Sequence, residues 1–376
     1  MITRSSHGQL TLPGDYFTSE EIFREEREKI FRQRWLYAGH VSQLAKSGDF
    51  FLFELDEESV IVLRDAAGAI RAFHNSCRHR GTRLCLEPCG SVAPGIQCPY
   101  HAWTFNLDGS LRAAPNMNDV EGFEKGDWPL VPAHVAEHEG LLFVSFAETP
   151  PPLAEAMASL PGRFERWKIA ELRSVHQTVY EVGANWKLFF HNYSECYHCP
   201  GVHPHLNKLT PYKNTTNDLD EGPVLGGPMW MTNPDGSMTM GGERCAPLLP
   251  GLAEKDRGHV LYYTFFPSMF LSLHPDYVLV HRARSLGTSR TRIFCDWFFH
   301  PEAIAAPGFD PQPAIDFWDL TNRQDWELCA NAHKGVASRA YRPGPYADLE
   351  SQLAAFDREY LRAMGRQSRP PLAAVR

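Results

Sequence analysis

Apolar residues come in short runs over the first 150 positions. Phe51-Leu52-Phe53-Glu54-Leu55 and Val60-Ile61-Val62-Leu63 are bounded by turn residues, and Asp65-Ala66-Ala67-Gly68 has the composition of a hairpin turn. Ala72-Phe73-His74-Asn75, Thr104-Phe105-Asn106 and Leu141-Leu142-Phe143-Val144 extend the pattern, which predicts a small antiparallel β domain. Ahead of it, Thr18-Ser19-Glu20-Glu21 reads as a capping box with Thr18 as N-cap. Ile22, Phe23, Ile30 and Phe31 share one face of the helix that follows, to about Gln33; residues 1–17 read as an extended arm. The proline-rich break at 148–153 marks a boundary. Beyond it, residues 161–168 look helical and Val175–Val182 alternates like a half-buried strand. Asn185 to His198 reads as one helix halted by Pro200-Gly201, and 314–332 as a long helix. The pattern divides the chain into an arm and helix (1–34), a β domain (35–147) and a larger domain (148–376).

Composition adds bounds. With 376 residues, 43% hydrophobic and 22% charged, the chain has the make-up of a globular protein of two domains. A formal charge of -8 carries no nucleic-acid footprint. The most apolar stretch, Val260–Leu273, is broken by Pro267 and Ser268 and is too short to span a bilayer. No apolar segment of the secretory kind follows the first residues, and the nine cysteines are an odd count. These features point to reduced thiols or metal ligands in a reducing cytoplasm.

The densest chemistry lies between Cys77-Arg78-His79 and Cys98-Pro99-Tyr100-His101, with eighteen residues between His79 and Cys98. Each loop offers one thiolate and one imidazole, a set suited to an iron–sulfur cluster with Cys₂ on one iron and His₂ on the other. Zinc is the rival, but a finger pairs its cysteines and its histidines separately, whereas here each loop mixes them. Cys85 and Cys89, between the loops, read as small thiols rather than a disulfide. His134 and His138, flanked by Pro132 and Gly140, read as a surface loop.

A second dense stretch runs from Asn185 to Pro204. His198 closes the expected helix and His203 follows the Pro-Gly break. Residues five apart on an unbroken helix point about 140° from each other, so the break lets both imidazoles converge. Two histidines and one carboxylate make the facial triad of non-haem Fe(II) oxygenases. The carboxylate is sought on the 314–332 helix, which holds Asp316, Asp319 and Asp325. Asp325 shares the mostly apolar face and is preferred; Asp316 looks solvated and Asp319 intermediate. Cys196 and Cys199 are read as core thiols, with zinc or redox exchange as the alternative. His191 is read as a residue that could be mistaken for a ligand, and His205, which follows Pro204, is kept as the alternate to His203.

Cys77-x-His79-Arg80-Gly81 with Cys98-Pro99-Tyr100-His101-Ala102-Trp103 resembles the Rieske [2Fe–2S] motif of the ring-hydroxylating oxygenases. Glu195-x-x-His198-x₄-His203 is similar to the catalytic motif of their α subunits. The run 189–204, Leu273-His274-Pro275-Asp276-Tyr277 and Gln324–Cys329 look most like the branch acting on glycine betaine, choline and carnitine. The resemblance covers about residues 20–340. It implies an α+β chain: an all-β Rieske domain, then a helix-grip (START-like) catalytic domain with an antiparallel sheet around a long helix. It implies a cluster on Cys77, His79, Cys98 and His101, and a mononuclear iron on His198, His203 and Asp325. Glu195 would bridge the two redox centres, with Asn192 beside it in the catalytic set. A head-to-tail homotrimer is also implied, one subunit's cluster facing its neighbour's iron.

The implied reaction uses O₂, with one electron from the ferrous iron and one from the cluster. The chain has no G-x-G-x-x-G and no plant-type ferredoxin cysteine set, so a separate NAD(P)H-dependent flavin reductase is expected to supply electrons. The small-molecule substrate is expected to be a quaternary amine, N-demethylated within an aromatic cage drawn from Trp230, Tyr263, Phe265, Phe266, Phe270 and Tyr277. An aromatic acid, held by Arg282 or Arg284, is the second expectation. An electron-transfer ferredoxin and a zinc-stabilised binding module are the readings outside enzymes.

Overall fold

The computed structural model describes residues 9–157, 160 and 162–367. The chain folds into two compact units, one of Gln33–Leu153 and one that joins the chain before it, to Arg32, with the chain from Ala154 onward. The N-terminal helix therefore packs with the C-terminal part. No helix among the described residues is long and apolar enough to cross a membrane.

The smaller unit is built from antiparallel strands: β1 (Leu36–His40), β2 (Asp49–Leu55), β3 (Glu58–Arg64), β4 (Ile70–His74), β5 (Cys89–Ser91), β6 (Ile96–Gln97), β7 (Thr104–Phe105), β8 (Leu111–Ala113), β9 (His134–His138) and β10 (Leu141–Ser145). They form sheets in the order β4-β3-β2-β5, β1-β10-β9 and β6-β7-β8. The turn expected at Asp65–Gly68 joins β3 to β4. There Asp65 Oδ1 accepts from the backbone N–H of Ala67 and Ala69, each at 2.9 Å. His134–His138 is not a loop but a strand, pairing Val135 with Val144. Its half-buried residues alternate too weakly to announce it. Ile61, Leu63, Phe73, Ile96, Trp103 and Phe105 share one core with Cys77 and Cys98.

In the larger unit, part of the expected arm lies outside the described residues. From Gln9 on, the chain is tied to the C-terminal region, Thr11 N–H donating to Gly344 O at 2.9 Å. Helix α1 is Glu20–Glu26, continuing as a π turn over Arg27–Phe31. Its N-cap is Ser19, whose hydroxyl accepts from Ile22 N–H at 3.3 Å. Thr18, the expected cap, ends a preceding helical turn and donates its hydroxyl to Gly14 O at 3.1 Å. Of the helix expected over 161–168, residue 161 lies outside the described residues and Glu165–Trp167 is a single 3₁₀ turn.

The sheet of this unit has six antiparallel strands in the order β11 (Arg173–Val182), β16 (Arg290–Phe299), β15 (Val278–Gly287), β14 (Met269–Leu273), β13 (His259–Phe265) and β12 (Val224–Trp230). Helix α2 (Trp186–Tyr193) follows β11, α3 (Cys199–Val202) and α4 (Pro204–Leu209) come next, α5 (Gln312–Val336) spans 25 residues, and α6 (Ser351–Ala363) closes the unit. The long helix lies against the sheet. Tyr180 of β11 donates to Asp319 (2.7 Å), His281 of β15 meets Asn322 (3.2 Å), and Trp318 donates to Tyr277 Oη (2.7 Å).

A buried ion pair ties three helices together. Lys187 Nζ donates to Glu26 Oε1 at 2.5 Å, with the two side chains 0% and 1% exposed. Tyr360 donates to the same oxygen (2.6 Å), and Trp186 Nε1 donates to Glu26 Oε2 (2.8 Å). Removing one member of such a cluster strands a charge where no water reaches it. Glu26→Ala is expected to lower the free energy of unfolding by about 3–5 kcal/mol, read as a shift in the denaturation midpoint. A midpoint within error of the parent would mean that the cluster does not hold these helices.

Candidate metal centres

Two loops of the smaller unit are closed by the same pattern of backbone hydrogen bonds. Cys77 N–H donates to Thr82 O (2.8 Å), and its carbonyl accepts from Gly81 N–H (2.9 Å). Cys98 N–H likewise donates to Trp103 O (2.8 Å), and its carbonyl accepts from Ala102 N–H (3.1 Å). The fourth residue after each cysteine needs a left-handed backbone, with φ of 73° at Gly81 and 57° at Ala102. Glycine takes this conformation freely; alanine holds it at a cost of about 1 kcal/mol.

The loops bring four donors together. Cys77 and Cys98 are buried and close enough to hydrogen bond, and the His79 and His101 ring centres lie 4.7 Å apart. His79 stacks on Trp103, with centroids 4.9 Å apart and planes 6° from parallel. Burial first, and then the neighbouring Cys98, pushes the Cys77 thiol above its ordinary pKa. Two buried thiols side by side ionise together only against positive charge, and a pair of iron ions supplies it. Cys85 and Cys89 are unpaired thiols, one buried and one exposed.

The second site belongs to the larger unit. His198, His203 and Asp325 present donor atoms that all lie within 4.8 Å of one another. Asp325 comes from α5 and the histidines from the stretch after α2. Oδ1 of Asp325 faces His203 Nε2 at 2.8 Å and His198 Nε2 at 3.3 Å, and accepts from Asn192 Nδ2 at 2.9 Å. The outer nitrogen of each imidazole also meets an oxygen. His198 Nδ1 is 2.5 Å from Glu195 Oε1, and His203 Nδ1 is 2.7 Å from Gln324 Oε1. A neutral imidazole has one proton for its two nitrogens, so acceptors on both sides call for either a second proton or a metal cation at the Nε2 edge. This donor set fits a divalent metal there. Without it the His198 ring is strongly basic: burial acts to lower its pKa, but the bonds to Asp325 and Glu195 overcome this and push it up to about 10. Asp325 shows the reverse balance. Burial acts to raise its pKa, yet the two histidines hold it below the ordinary carboxylate value.

The path of the chain here differs from the single helix expected over 185–198. Helix α2 starts where expected, Asn185 Oδ1 accepting from Lys187 N–H at 3.2 Å, but stops at Tyr193. Ser194 turns its hydroxyl back to Phe190 O (2.5 Å), and the Glu195 carboxylate caps the backbone N–H groups of Tyr197 and His198. Side-chain groups that bond the local backbone compete with the helix ladder and end it. Cys196 and Cys199, expected as core thiols, are instead joined in a disulfide, the turn bringing their Cα atoms to 5.0 Å. The other residues weighed as ligands are engaged elsewhere. His191 meets Asp357 (2.8 Å), His205 packs edge-on to Phe317, Asp319 pairs with Arg323 (2.7 Å), and Asp316 accepts from Gln312 (2.7 Å).

Beside this site lies a cavity of about 340 Å³ lined by His198, His203, Asp325, Asn192 and Glu195. Its aromatic walls are Tyr193, Tyr197, Tyr212, Tyr262 and Trp318. None of Trp230, Tyr263, Phe265, Phe266, Phe270 and Tyr277 lines it. The reason is register. Along β13 successive side chains alternate, so Tyr262 and Thr264 face the cavity while Tyr263 bonds to Asp218 (3.0 Å). Phe270 stacks on Tyr193, Tyr277 bonds to Met238 O (2.6 Å), and Trp230 is partly exposed at the sheet edge. In the sequence Gln324 stands only as the first residue of the Gln324–Cys329 run, with no role of its own, and Tyr212 carries no signal. Tyr262 was one position from a named residue.

Comparison with known proteins agrees with both centres. Residues 34–124 match the Rieske [2Fe-2S] domain, and residues 169–366 match the ring hydroxylating alpha subunit (catalytic domain). The glycine betaine monooxygenase oxygenase subunit of Pseudomonas aeruginosa is 30% identical over 372 residues, covering 92% of this chain and 86% of that one. The carnitine monooxygenase oxygenase subunit of Acinetobacter baumannii is 39% identical over 199 residues, covering 52% of this chain and 53% of that one. The crystal structure of the quaternary ammonium Rieske monooxygenase CntA in complex with L-carnitine superposes with a TM-score of 0.82 at 25% identity, covering 97% of this chain and 98% of that one. The chain belongs to the Rieske-type ring-hydroxylating oxygenases as an alpha subunit, an oxidoreductase with a [2Fe–2S] cluster and a mononuclear non-haem iron.

Proposed function

We propose that this chain hydroxylates an N-methyl group of a quaternary amine, such as glycine betaine, which then sheds formaldehyde. The observation that carries this reading is the cavity wall. Tyr193, Tyr212, Tyr262 and Trp318 line it together with Glu195, Asp325 and Asp348, and no lysine or arginine lines it among the described residues. Aromatic faces attract a quaternary ammonium. A benzoate-type acid brings a carboxylate and no cationic group, so it gains nothing from these acidic and aromatic walls, whereas a betaine also presents an ammonium that they can hold. Arg282 and Arg284 do not line the cavity, and the Arg282 guanidinium packs over Phe294, 4.2 Å from its ring centre.

Cys77, His79, Cys98 and His101 would hold the cluster, and His198, His203 and Asp325 the iron, which when bound supplies the reductive activation of O₂. The balance is one substrate, one O₂, two electrons and two protons giving the hydroxymethyl amine and water. Loss of formaldehyde and a proton leaves the tertiary amine. The protein's own part is placement. The aromatic walls seat the ammonium group beside the triad. Glu195 accepts the Nδ1 proton of His198 and so keeps Nε2 turned toward Asp325. Asn192 steadies the Asp325 carboxylate from the other side.

A separate NAD(P)H-dependent flavin reductase would feed the cluster. In a head-to-tail homotrimer, Glu195 would link His198 to His79 or His101 of the neighbouring chain. This assembly accounts for a carboxylate that is still partly open to solvent next to a metal ligand.

Three outcomes are expected. With a generic reductase, glycine betaine or carnitine releases formaldehyde in step with O₂ uptake and benzoate gives no hydroxylated product; benzoate turnover alone would overturn the substrate assignment. Asp325→Ala lowers iron from about three to about two per chain and keeps the cluster's absorption. Parent-level iron in that variant would remove Asp325 from the site. Glu195→Ala retains both centres but loses coupled turnover, and a normal rate of product formation would rule out the bridging role.

A further inference from the structure

Both edges of the His203 ring are gripped by consecutive residues of one helix. On α5, Asp325 Oδ1 stands 2.8 Å from Nε2, and Gln324 Oε1 stands 2.7 Å from Nδ1. Metal binding through Nε2 needs a lone pair there, so the ring proton must reside on Nδ1. Only an acceptor facing Nδ1 secures that tautomer. A glutamine offers either an oxygen or an NH₂ at its tip. With the NH₂ turned to the ring, the proton would be driven to Nε2 and the metal edge would be blocked. The arrangement with Oε1 on Nδ1 is the one compatible with a metal at His203.

We infer that Gln324 is a positioning residue of the iron site, fixing the tautomer and ring orientation of His203 through the Nδ1–H···Oε1 bond. This rests on the reading that His198, His203 and Asp325 hold the iron, and extends it to a group that does not touch metal or substrate. His203 is buried, so no water stands ready to replace the amide oxygen. The two imidazoles are therefore set differently. His198 leans on the Glu195 carboxylate and His203 on a neutral amide, which leaves His198 the more electron-rich ligand.

The test uses full-length protein carrying its cluster, from which mononuclear iron has been dialysed, titrated with cobalt(II). Cobalt uptake is followed by its d–d absorption; cluster absorption reports the smaller unit, and near-ultraviolet circular dichroism reports packing of the larger unit that holds Gln324. The parent is expected to take up one equivalent. Gln324→Met, close in shape but without the carbonyl acceptor, is expected to bind cobalt about 10–100-fold more weakly. Gln324→Glu, which keeps an oxygen at the same reach, is expected to restore the parent affinity or exceed it. If the methionine variant loses the near-ultraviolet signal of the larger unit, Gln324→Asn takes its place, one methylene too short to reach. Parent affinity in the methionine variant would overturn the inference alone. Equal weakening in the glutamate variant would also overturn it, reducing Gln324 to packing. A parent that binds no cobalt at all would instead remove the iron-site reading beneath it.

Discussion

The catalytic half of this protein is organised around one oxygen, Oδ1 of Asp325. Two imidazole nitrogens and an amide N–H point at it from one short stretch, Asn192 to His203, at 2.8, 3.3 and 2.9 Å. Each imidazole is also flanked by an oxygen on its far side, so the cluster is short of positive charge as it stands. Burial enlarges that demand, because water cannot screen it. A divalent cation satisfies all of these groups at once, and the surrounding geometry follows from that single requirement. The stretch after Tyr193 leaves the helix so that Glu195 can reach Nδ1 of His198. The Pro-Gly pair, expected as a break, instead lies in the helical turn α3, with Pro200 at its start, and this turn brings His203 to the same carboxylate oxygen.

Such a convergence needs a rigid frame, and the buried Glu26–Lys187 pair supplies one. Trp186 and Lys187 occupy the first turn of α2, and Asn192 lies near its last. Fixing the rotation of that first turn fixes where Asn192 points, less than two turns on. Tyr360 brings the final helix to the same carboxylate, so both ends of the larger unit converge on the helix that enters the iron site. A buried pair of this kind is poor evidence for net stability. Here its geometric effect is the argument: exchanging it for apolar residues would keep the volume and lose the directional bonds.

The two centres differed in how far they could be read in advance. The loops Cys77–Thr82 and Cys98–Trp103 are shaped by their own backbone hydrogen bonds, so a local motif carries nearly the whole geometry, down to the left-handed residue four places after each cysteine. The candidate iron site joins two neighbouring histidines to a residue more than a hundred positions away; the histidine spacing is local and legible, whereas the third ligand rests on the helical face of Asp325 and on the family resemblance. Side-chain capping ended α2 early, because periodicity alone does not weigh Ser194 and Glu195 against the helix ladder. Strand β9 was hidden by its weak alternation. The aromatic lining of the cavity differs from the expected residues by a single register step: Tyr262 and Tyr263 are equally aromatic, and which one faces the cavity is set by pairing with β12 and β14, which composition does not encode.

Charge counting joins the ligand set to the cavity. A ferrous ion carries two positive charges, and Asp325 with Glu195 returns two negative ones, so the occupied site is close to neutral. A neutral amide at Gln324 preserves that balance; a third carboxylate on the ring edge of His203 would add negative charge beside an ion that must still give up an electron. With the charges cancelled, the metal centre exerts little net pull on a cation. On the proposed reading, an ammonium group would then be held by what lines the walls, the faces of Tyr193, Tyr262 and Trp318 with Asp348 beyond them. Placing the attraction in the walls rather than at the triad would hold such a substrate's methyl group beside His198, His203 and Asp325 while leaving those side chains to hold the metal.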